Sequence, residues 1–162
     1  MKLFKTFLTI LVISLLSSPS WSVTIGDLVE REGIYYQKFT DVPFSGKVTG
    51  NPKGSIKNGK WDGAWVRYWD NGQLKSKDNW KNGEMTGAWV FYYDNGQLYF
   101  KGNYKNGKRE SAWVSYWDNG QLINKGNYKS GKRNGTWVRY NENGTLDKER
   151  TGTYKDDVKI SD

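Results

Sequence analysis

Residues 63–74 read Gly-Ala-Trp-Val-Arg-Tyr-Trp-Asp-Asn-Gly-Gln-Leu, and this pattern returns every 24 residues along the chain. The tryptophans and tyrosines of the pattern recur at Trp65, Trp89, Trp113, Trp137, Tyr68, Tyr92, Tyr116 and Tyr140. A second turn signal alternates with Asp-Asn-Gly, at residues 57–59, 81–83, 105–107 and 129–131. A fixed period of this length is the sequence signature of a repeat architecture.

Each repeat predicts two strands and two turns. Asn-Gly between alternating segments is a strong hairpin signal, because both residues tolerate the positive φ of a type I′ turn. The segment 63–69 is rich in aromatic and β-branched residues, which suit strands, and no helical period appears after residue 22. The sequence therefore predicts an all-β fold, an elongated single-layer antiparallel sheet of tandem 24-residue β-hairpin repeats.

A two-residue turn at Asn71-Gly72 would fix the strand register. Trp69 would then face Leu74, and Trp65 would face Asp78. In the next repeats Trp89 would face Gly102 and Trp113 would face Gly126, so we expect indoles to cover cross-strand glycines. Alternation predicts an aromatic, buried face that carries Trp65, Trp69, Leu74, Trp80 and their equivalents, and an opposite face that carries Ala64, Val66, Tyr68 and Lys77.

The ends of the chain depart from the repeat. Residues 1–22 combine Lys2 and Lys5 with a short apolar run and a small-residue ending, which predicts a cleaved secretory signal peptide. Residues 23–60 are predicted to form an N-terminal cap with one abbreviated repeat, followed by repeats at 61–84, 85–108 and 109–132 and by a last repeat and C-terminal cap at 133–162. In that last unit two extra residues near 150–152 are expected to form a bulge, and Asp156-Asp157 replaces the usual turn.

The composition argues against catalysis. The chain has no histidine and no cysteine, which removes the usual general base, thiolate chemistry and the commonest metal ligands. Asp70, Asp94 and Asp118 each precede an Asn-Gly turn, where we expect their side chains to cap the backbone. The sequence thus predicts no enzyme, no cofactor and no metal site.

The charge points instead to anionic partners. The formal net charge is +8, which suits acidic proteins, glycans or lipid headgroups. Nucleic acid is not expected for an exported protein, which is predicted to be periplasmic or extracellular with no transmembrane segment once the signal peptide is removed. The charge could equally serve only to keep an aromatic-rich sheet soluble.

Two sets of side chains are candidate binding residues. The first is a stripe with a predicted repeat spacing of roughly 10 Å, made of Tyr68, Tyr92, Tyr116, Tyr140, Lys77, Lys101 and Lys125. Its alternative role is to solvate the outer face and prevent sheet stacking. The second set lies beside the turns, where stacking on a ligand and simple packing are both open; it consists of Trp69, Tyr93 and Trp117.

The pattern Gly-x-Trp-x-x-Tyr-aromatic, followed by Gly-x-Leu and Asn-Tyr-Lys-x-Gly, resembles the MORN repeat in its bacterial variant form. The resemblance covers roughly residues 33–155. It implies a non-enzymatic interaction or scaffold module, whose bacterial relatives often carry a label as antitoxin components of toxin–antitoxin systems. The leading hypothesis is protein binding in the bacterial envelope, and an antitoxin- or immunity-like role is one form of it. The alternative is binding of an anionic glycan, lipopolysaccharide or phospholipid surface through the Tyr/Lys stripe.

Overall fold

The structure, a computed structural model, describes residues 22–162, so the predicted signal peptide lies almost wholly outside the described part. The described chain contains one short 3-10 helix, Ile25–Asp27, and fifteen strands. The strands are β1 Val23–Thr24, β2 Leu28–Arg31, β3 Ile34–Gln37, β4 Gly46–Thr49, β5 Gly54–Lys57, β6 Lys60–Trp61, β7 Gly63–Tyr68, β8 Leu74–Lys81, β9 Glu84–Tyr92, β10 Leu98–Lys105, β11 Lys108–Tyr116, β12 Leu122–Lys129, β13 Lys132–Arg139, β14 Gly152–Lys155 and β15 Val158–Ser161.

The predicted fold class is confirmed. Strands β7 to β15 pair in sequence order as one nine-stranded sheet, and every pair in it is antiparallel. A four-stranded sheet of order β1-β4-β5-β6 precedes it. Lys53 and Val66 exchange two backbone hydrogen bonds of 3.0 and 2.9 Å, which join the two sheets. Short connections between sequential strands explain this meander, because each hairpin brings its second strand beside the first.

The two Asn-Gly signals form two different turns. In the Lys-Asn-Gly turn both central residues have positive φ, 51° at Asn82 and 82° at Gly83, as type I′ requires. In the Asp-Asn-Gly turn only the glycine does, with φ of 82° at Gly72. Trp69 N–H donates to the Gln73 carbonyl at 2.8 Å, and Gly72 N–H donates to the Trp69 carbonyl at 2.9 Å. This loop is therefore a three-residue turn that ends in a left-handed glycine.

The longer turn corrects part of the predicted register. Trp65 does face Asp78, but Tyr68, not Trp69, faces Leu74, because a bulge follows Arg67. Leu74 consequently shares a face with Tyr68, contrary to the expectation. The extra residue is Lys75, whose Nζ lies 3.9 Å from the centre of the Trp69 ring.

Indoles do cover strand glycines, but each indole comes from a later strand rather than from the earlier strand that was expected. Trp89 faces Gly102 in register, as predicted. A Cβ added at Gly102 would nevertheless lie 2.2 Å from Cδ2 of Trp113, on the following strand β11. The same relation joins Gly126 to Trp137 at 2.2 Å and Gly54 to Trp65 at 2.3 Å. The expectation was right about the residue types and wrong about which strand supplies the ring.

The aromatic face supplies its own core. Trp65 is fully buried, and Trp113 and Trp137 retain only 7% and 5% exposure. Between them the rings alternate edge to face, with Trp113 and Tyr128 centroids 5.8 Å apart and Tyr128 and Trp137 centroids 4.9 Å apart. Such geometry is the favoured one for aromatic pairs. A single sheet thus buries its large side chains against one another rather than under a second layer.

Both ends are closed by added elements. At the N-terminus the hairpin of β2 and β3 contributes Leu28 and Tyr35 to a cluster with Val48, Ile56 and Trp65. At the C-terminus the two additional residues lie in a turn at 148–150 rather than in the expected strand bulge. The Asp156-Asp157 turn has φ of 51° and 72°, so it replaces an Asn-Gly turn in geometry as well as position.

Candidate binding site

The face opposite the aromatic rings carries an alternating row of valines and lysines across the strands. Lys77 faces Val66 on one side and Val90 on the other. Lys101 likewise lies between Val90 and Val114. Continued across the sheet, the row, here named the Val–Lys ladder, comprises Val66, Lys77, Val90, Lys101, Val114, Lys125 and Val138.

A groove of about 910 Å³ runs along the Val–Lys ladder. The valines are half-buried, and the three lysines are exposed. Beside the ladder lie the amides of Asn103 and Asn127, for which the described residues supply no hydrogen-bond partner, whereas Asn79 donates to the Ala88 carbonyl at 2.8 Å. The groove thus offers an aliphatic base with ammonium and amide groups above it.

The charge of this groove is one-sided. No aspartate or glutamate is among its lining residues. Within residues 22–162, the ammonium groups of Lys77, Lys101 and Lys125 take part in no ion pair and donate no hydrogen bond. Three unneutralised ammonium groups in one groove create a positive potential that attracts anions.

The structure brings the lysines of the predicted stripe together but sets the tyrosines apart. Tyr68, Tyr92, Tyr116 and Tyr140 are half-buried, and none of them lines the groove. They lie further along the strands, toward the Asp-Asn-Gly turns. Tyr68 pairs with Asn51, whose amide accepts its N–H and donates to its carbonyl at 2.9 and 2.8 Å.

The aromatic residues beside the turns contact the following repeat. Trp69 Nε1 donates to the Tyr92 carbonyl at 3.1 Å, and the Tyr93 hydroxyl donates to the Tyr116 carbonyl at 3.1 Å. Trp117 is half-buried like them, although its Nε1 has no partner among the described residues. These contacts link one repeat to the next at the turn end of the sheet.

The two rows of turns carry opposite charge. Asp70, Asp94 and Asp118 are exposed, and the predicted capping falls to Asn71 instead, whose Oδ1 accepts the Gln73 N–H at 3.0 Å. The expectation that the aspartates cap these turns is therefore wrong. The opposite row of turns is basic, with lysines at Lys57, Lys60, Lys81, Lys105, Lys108, Lys129, Lys132 and Lys155.

A family profile described as the MORN repeat variant matches residues 61–82, 85–106, 109–130 and 133–156, which together make up more than half of the chain. The chain belongs to the MORN repeat variant family. MORN repeats are generally protein- or membrane-binding modules. A comparison with curated proteins finds none that matches this chain. No helix in the described part of this MORN protein is long and apolar enough to cross a membrane.

Sequence reasoning did not single out the valines, Asn103 and Asn127 as groove residues. The signal was present, since Val66 and Lys77 are cross-strand partners in both the predicted and the observed register. The concavity of this face was not readable from the pattern, because alternation assigns residues to faces without fixing the curvature of the sheet.

Proposed function

We propose that this MORN protein is an exported, non-enzymatic interaction module that binds an extended acidic segment of a partner protein along its Val–Lys ladder. The observation that carries the proposal is the groove of about 910 Å³ with three lysines and no carboxylate. Its aliphatic base supports contact with a polypeptide. Sugar rings commonly stack on exposed aromatic faces, and the exposed side chains of this groove are lysine, asparagine, alanine and threonine.

The spacing of the lysines defines the ligand further. Successive lysines of the ladder are two strands apart, which corresponds to roughly 10 Å. A polyproline II segment rises about 3.1 Å per residue and presents every third residue on one side, so its side chains repeat at about 9 Å. An acidic residue at every third position of an extended segment would therefore meet Lys77, Lys101 and Lys125 in turn.

A peptide of sequence Glu-Pro-Pro-Glu-Pro-Pro-Glu, labelled for fluorescence anisotropy, tests this geometry. We expect this peptide to bind saturably. A peptide of the same composition whose three glutamates are adjacent should bind at least tenfold more weakly. The difference follows because only the first peptide matches the lysine spacing. Equal affinity for the two peptides would contradict a defined groove and leave only general charge attraction.

Two matched variants remove the same number of positive charges. Changing Lys77, Lys101 and Lys125 together to Gln should reduce the affinity at least tenfold, while the same change at Lys81, Lys105 and Lys129 should reduce it less than threefold. The second triplet has the same period but lies in the turns outside the groove. Circular dichroism checks that both variants fold. Equal losses in both triplets would disprove the role of the groove.

The second candidate function is binding of an anionic glycan, lipopolysaccharide or phospholipid surface, as inferred from the sequence. The basic row of turns favours it, since this row adds eight lysines at one end of the sheet. Co-sedimentation with phosphatidylglycerol vesicles at low and physiological salt distinguishes the two functions. Surface charge attraction should weaken steeply with salt and should respond more to the turn triplet than to the groove triplet.

The cellular setting is part of the proposal. The signal-peptide pattern of residues 1–22 supports export, with the bacterial periplasm or the exterior as the destination. An immunity-like role against an exported toxin is one form of this function. Fractionation of a tagged protein, followed by cross-linked pull-down from the envelope, is expected to recover one stoichiometric acidic partner. Retention of the tagged protein in the cytoplasm would contradict the export proposal without affecting the groove.

A further inference from the structure

One position on the aromatic face departs from the repeat. Three of the four repeat indoles, Trp65, Trp113 and Trp137, lie against a glycine of an earlier strand, at Gly54, Gly102 and Gly126 respectively. The equivalent position in the first full repeat is Asp78, whose side chain is fully buried. Trp89, which follows Asp78 as Trp113 follows Gly102, is half-buried, while the other three indoles of the series are buried. Asp78 therefore replaces the regular packing of an indole against a glycine with a polar contact.

Both carboxylate oxygens of Asp78 accept hydrogen bonds, and one of the donors is Arg67. Its Oδ1 accepts from Arg67 Nη1 at 2.7 Å and from Ser76 Oγ at 2.9 Å, and its Oδ2 accepts from Trp80 Nε1. A buried carboxylate requires partners of this kind. The corresponding residues of the next repeat are Phe91, Phe100 and Tyr104, so this polar cluster is particular to the first full repeat.

Arg67 has donors left over. Both hydrogen bonds of its guanidinium, to Asp78 and Ser76, are donated by Nη1. Nε and Nη2, the two-nitrogen edge that pairs with a carboxylate in bidentate fashion, donate no hydrogen bond within residues 22–162. The side chain is 26% exposed, and it lines a cavity of about 250 Å³ between the N-terminal hairpin and the sheet.

The other walls of this cavity are aromatic. Trp61, Trp80 and Tyr35 line it, together with Gly33 and Gly83 at the tips of two turns. Trp61 stacks on Trp65 with centroids 3.8 Å apart, and its Nε1 is buried without a hydrogen-bond partner among the described residues. Because this N–H has almost no accessible surface, it reports on the packing around the Trp61 ring rather than bonding a ligand. Burial raises the pKa of Tyr35, and Glu30 raises it further.

We propose that this cavity, named here the Arg67 pocket, binds a small carboxylate carried on a single flat ring. Arg67 Nε and Nη2 supply donors to the carboxylate, while Trp61 and Trp80 contact the ring. The size fits, because about 250 Å³ is below the 300–1,000 Å³ of sites for drug-sized ligands. The pocket lies on the aromatic face, opposite the Val–Lys ladder, so this site is independent of the proposed peptide groove.

Benzoate is the probe, and the indole N–H resonance of Trp61 in a ¹⁵N–¹H correlation spectrum is the readout. The resonance is assigned by its disappearance in Trp61→Phe. We expect benzoate to move it saturably, because a ligand ring against Trp61 changes the ring-current field at this N–H, and benzamide to move it less than a tenth as far at equal concentration. Acetate should also bind at least tenfold more weakly than benzoate, because it lacks the ring.

Arg67→Lys distinguishes recognition from general charge. Lysine keeps the positive charge beside Asp78 but offers no two-nitrogen edge, so the benzoate affinity should fall at least tenfold while the remaining indole resonances stay in place. Lys60→Gln, which removes a nearby charge outside the pocket, should leave the affinity within twofold. A Trp61 resonance that responds equally to benzoate and benzamide, or equally in wild type and Arg67→Lys, overturns the proposal.

Discussion

At the scale of single residues, glycine in the middle of a strand is here a packing residue. Gly126 leaves room for Trp137, whose Cδ2 lies 2.2 Å from the position that a Cβ would occupy. Real Cβ atoms do not approach carbon so closely, so any side chain must displace the buried indole. The strand loses a side chain, but the sheet gains an aromatic core without a second layer. Spacing alone predicted that glycines and indoles belong together, but the choice of strand depended on side-chain direction.

This packing predicts the cost of one methyl group. Gly126→Ala should lower the free energy of unfolding by about 1–3 kcal/mol, the usual cost of overpacking a core. Urea denaturation followed by tryptophan fluorescence measures it. Gly26→Ala is the matched control, since its Cβ would meet only Thr24 Oγ1 at 3.6 Å and should change stability by less than 0.5 kcal/mol. A similar loss in both variants would refute the packing role of Gly126.

The buried ion pair of the first full repeat allows a second test at this scale. Asp78→Gly restores the repeat pattern but strands Arg67 without its carboxylate, so we expect a loss of about 3 kcal/mol, at the lower end for a broken buried pair, because Arg67 retains 26% exposure. The double change Arg67→Phe with Asp78→Gly imports the residues of the next repeat. It should recover more than half of that loss in urea denaturation. A double variant no more stable than Asp78→Gly would show that the pair is not self-contained.

At the scale of elements, the two turn types show what sequence pattern could not predict. Both contain Asn-Gly, yet Asn82 has φ of 51°, whereas Asn71 is not among the residues with positive φ. The strand register beside the Asp-Asn-Gly turn shifts by one residue as a result, and this shift places Leu74 on the other face. The strands and both turn positions followed from the sequence. The loop length did not, because the same dipeptide suits a two-residue and a three-residue loop.

Strand β11 contains one strained backbone position, which a comparison with the other repeats identifies. Ser111 has φ of 62°, at a position where the other repeats have glycines, Gly63, Gly87 and Gly135. A non-glycine residue in this left-handed region pays roughly 1 kcal/mol. Ser111→Gly should therefore stabilise the protein by about 0.5–1 kcal/mol despite the added chain entropy of glycine. Thermal unfolding measures the gain, and the reverse change Gly135→Ser should destabilise by a similar amount. A destabilising Ser111→Gly would mean that the serine hydroxyl matters more than the backbone conformation.

At the scale of the whole molecule, the two faces of the sheet and its two rows of turns differ in composition. The aromatic face holds the core, the opposite face carries the Val–Lys ladder, and the two rows of turns are acidic and basic. The lysines of the ladder were predictable, because a strict period and alternation placed Lys77, Lys101 and Lys125 on one face. The Arg67 pocket was not, because Tyr35 reaches it from the N-terminal hairpin, which lies outside the repeat.

A sheet of this kind depends on its ends, because each repeat contacts only its neighbours. Tyr154 of β14 is 5% exposed and belongs to the cluster of Trp113 and Trp137. Removing residues 152–162 would uncover Trp137 and the edge of β13, and an unpaired apolar edge promotes association. We expect this truncation to unfold at lower urea concentration and to form oligomers, measured by size-exclusion chromatography with light scattering. Removing only 158–162, where Val158 and Ile160 are already 64% and 60% exposed, should leave the protein folded. A monomeric and equally stable 152–162 deletion would show that β14 is dispensable and that the repeats close their own end.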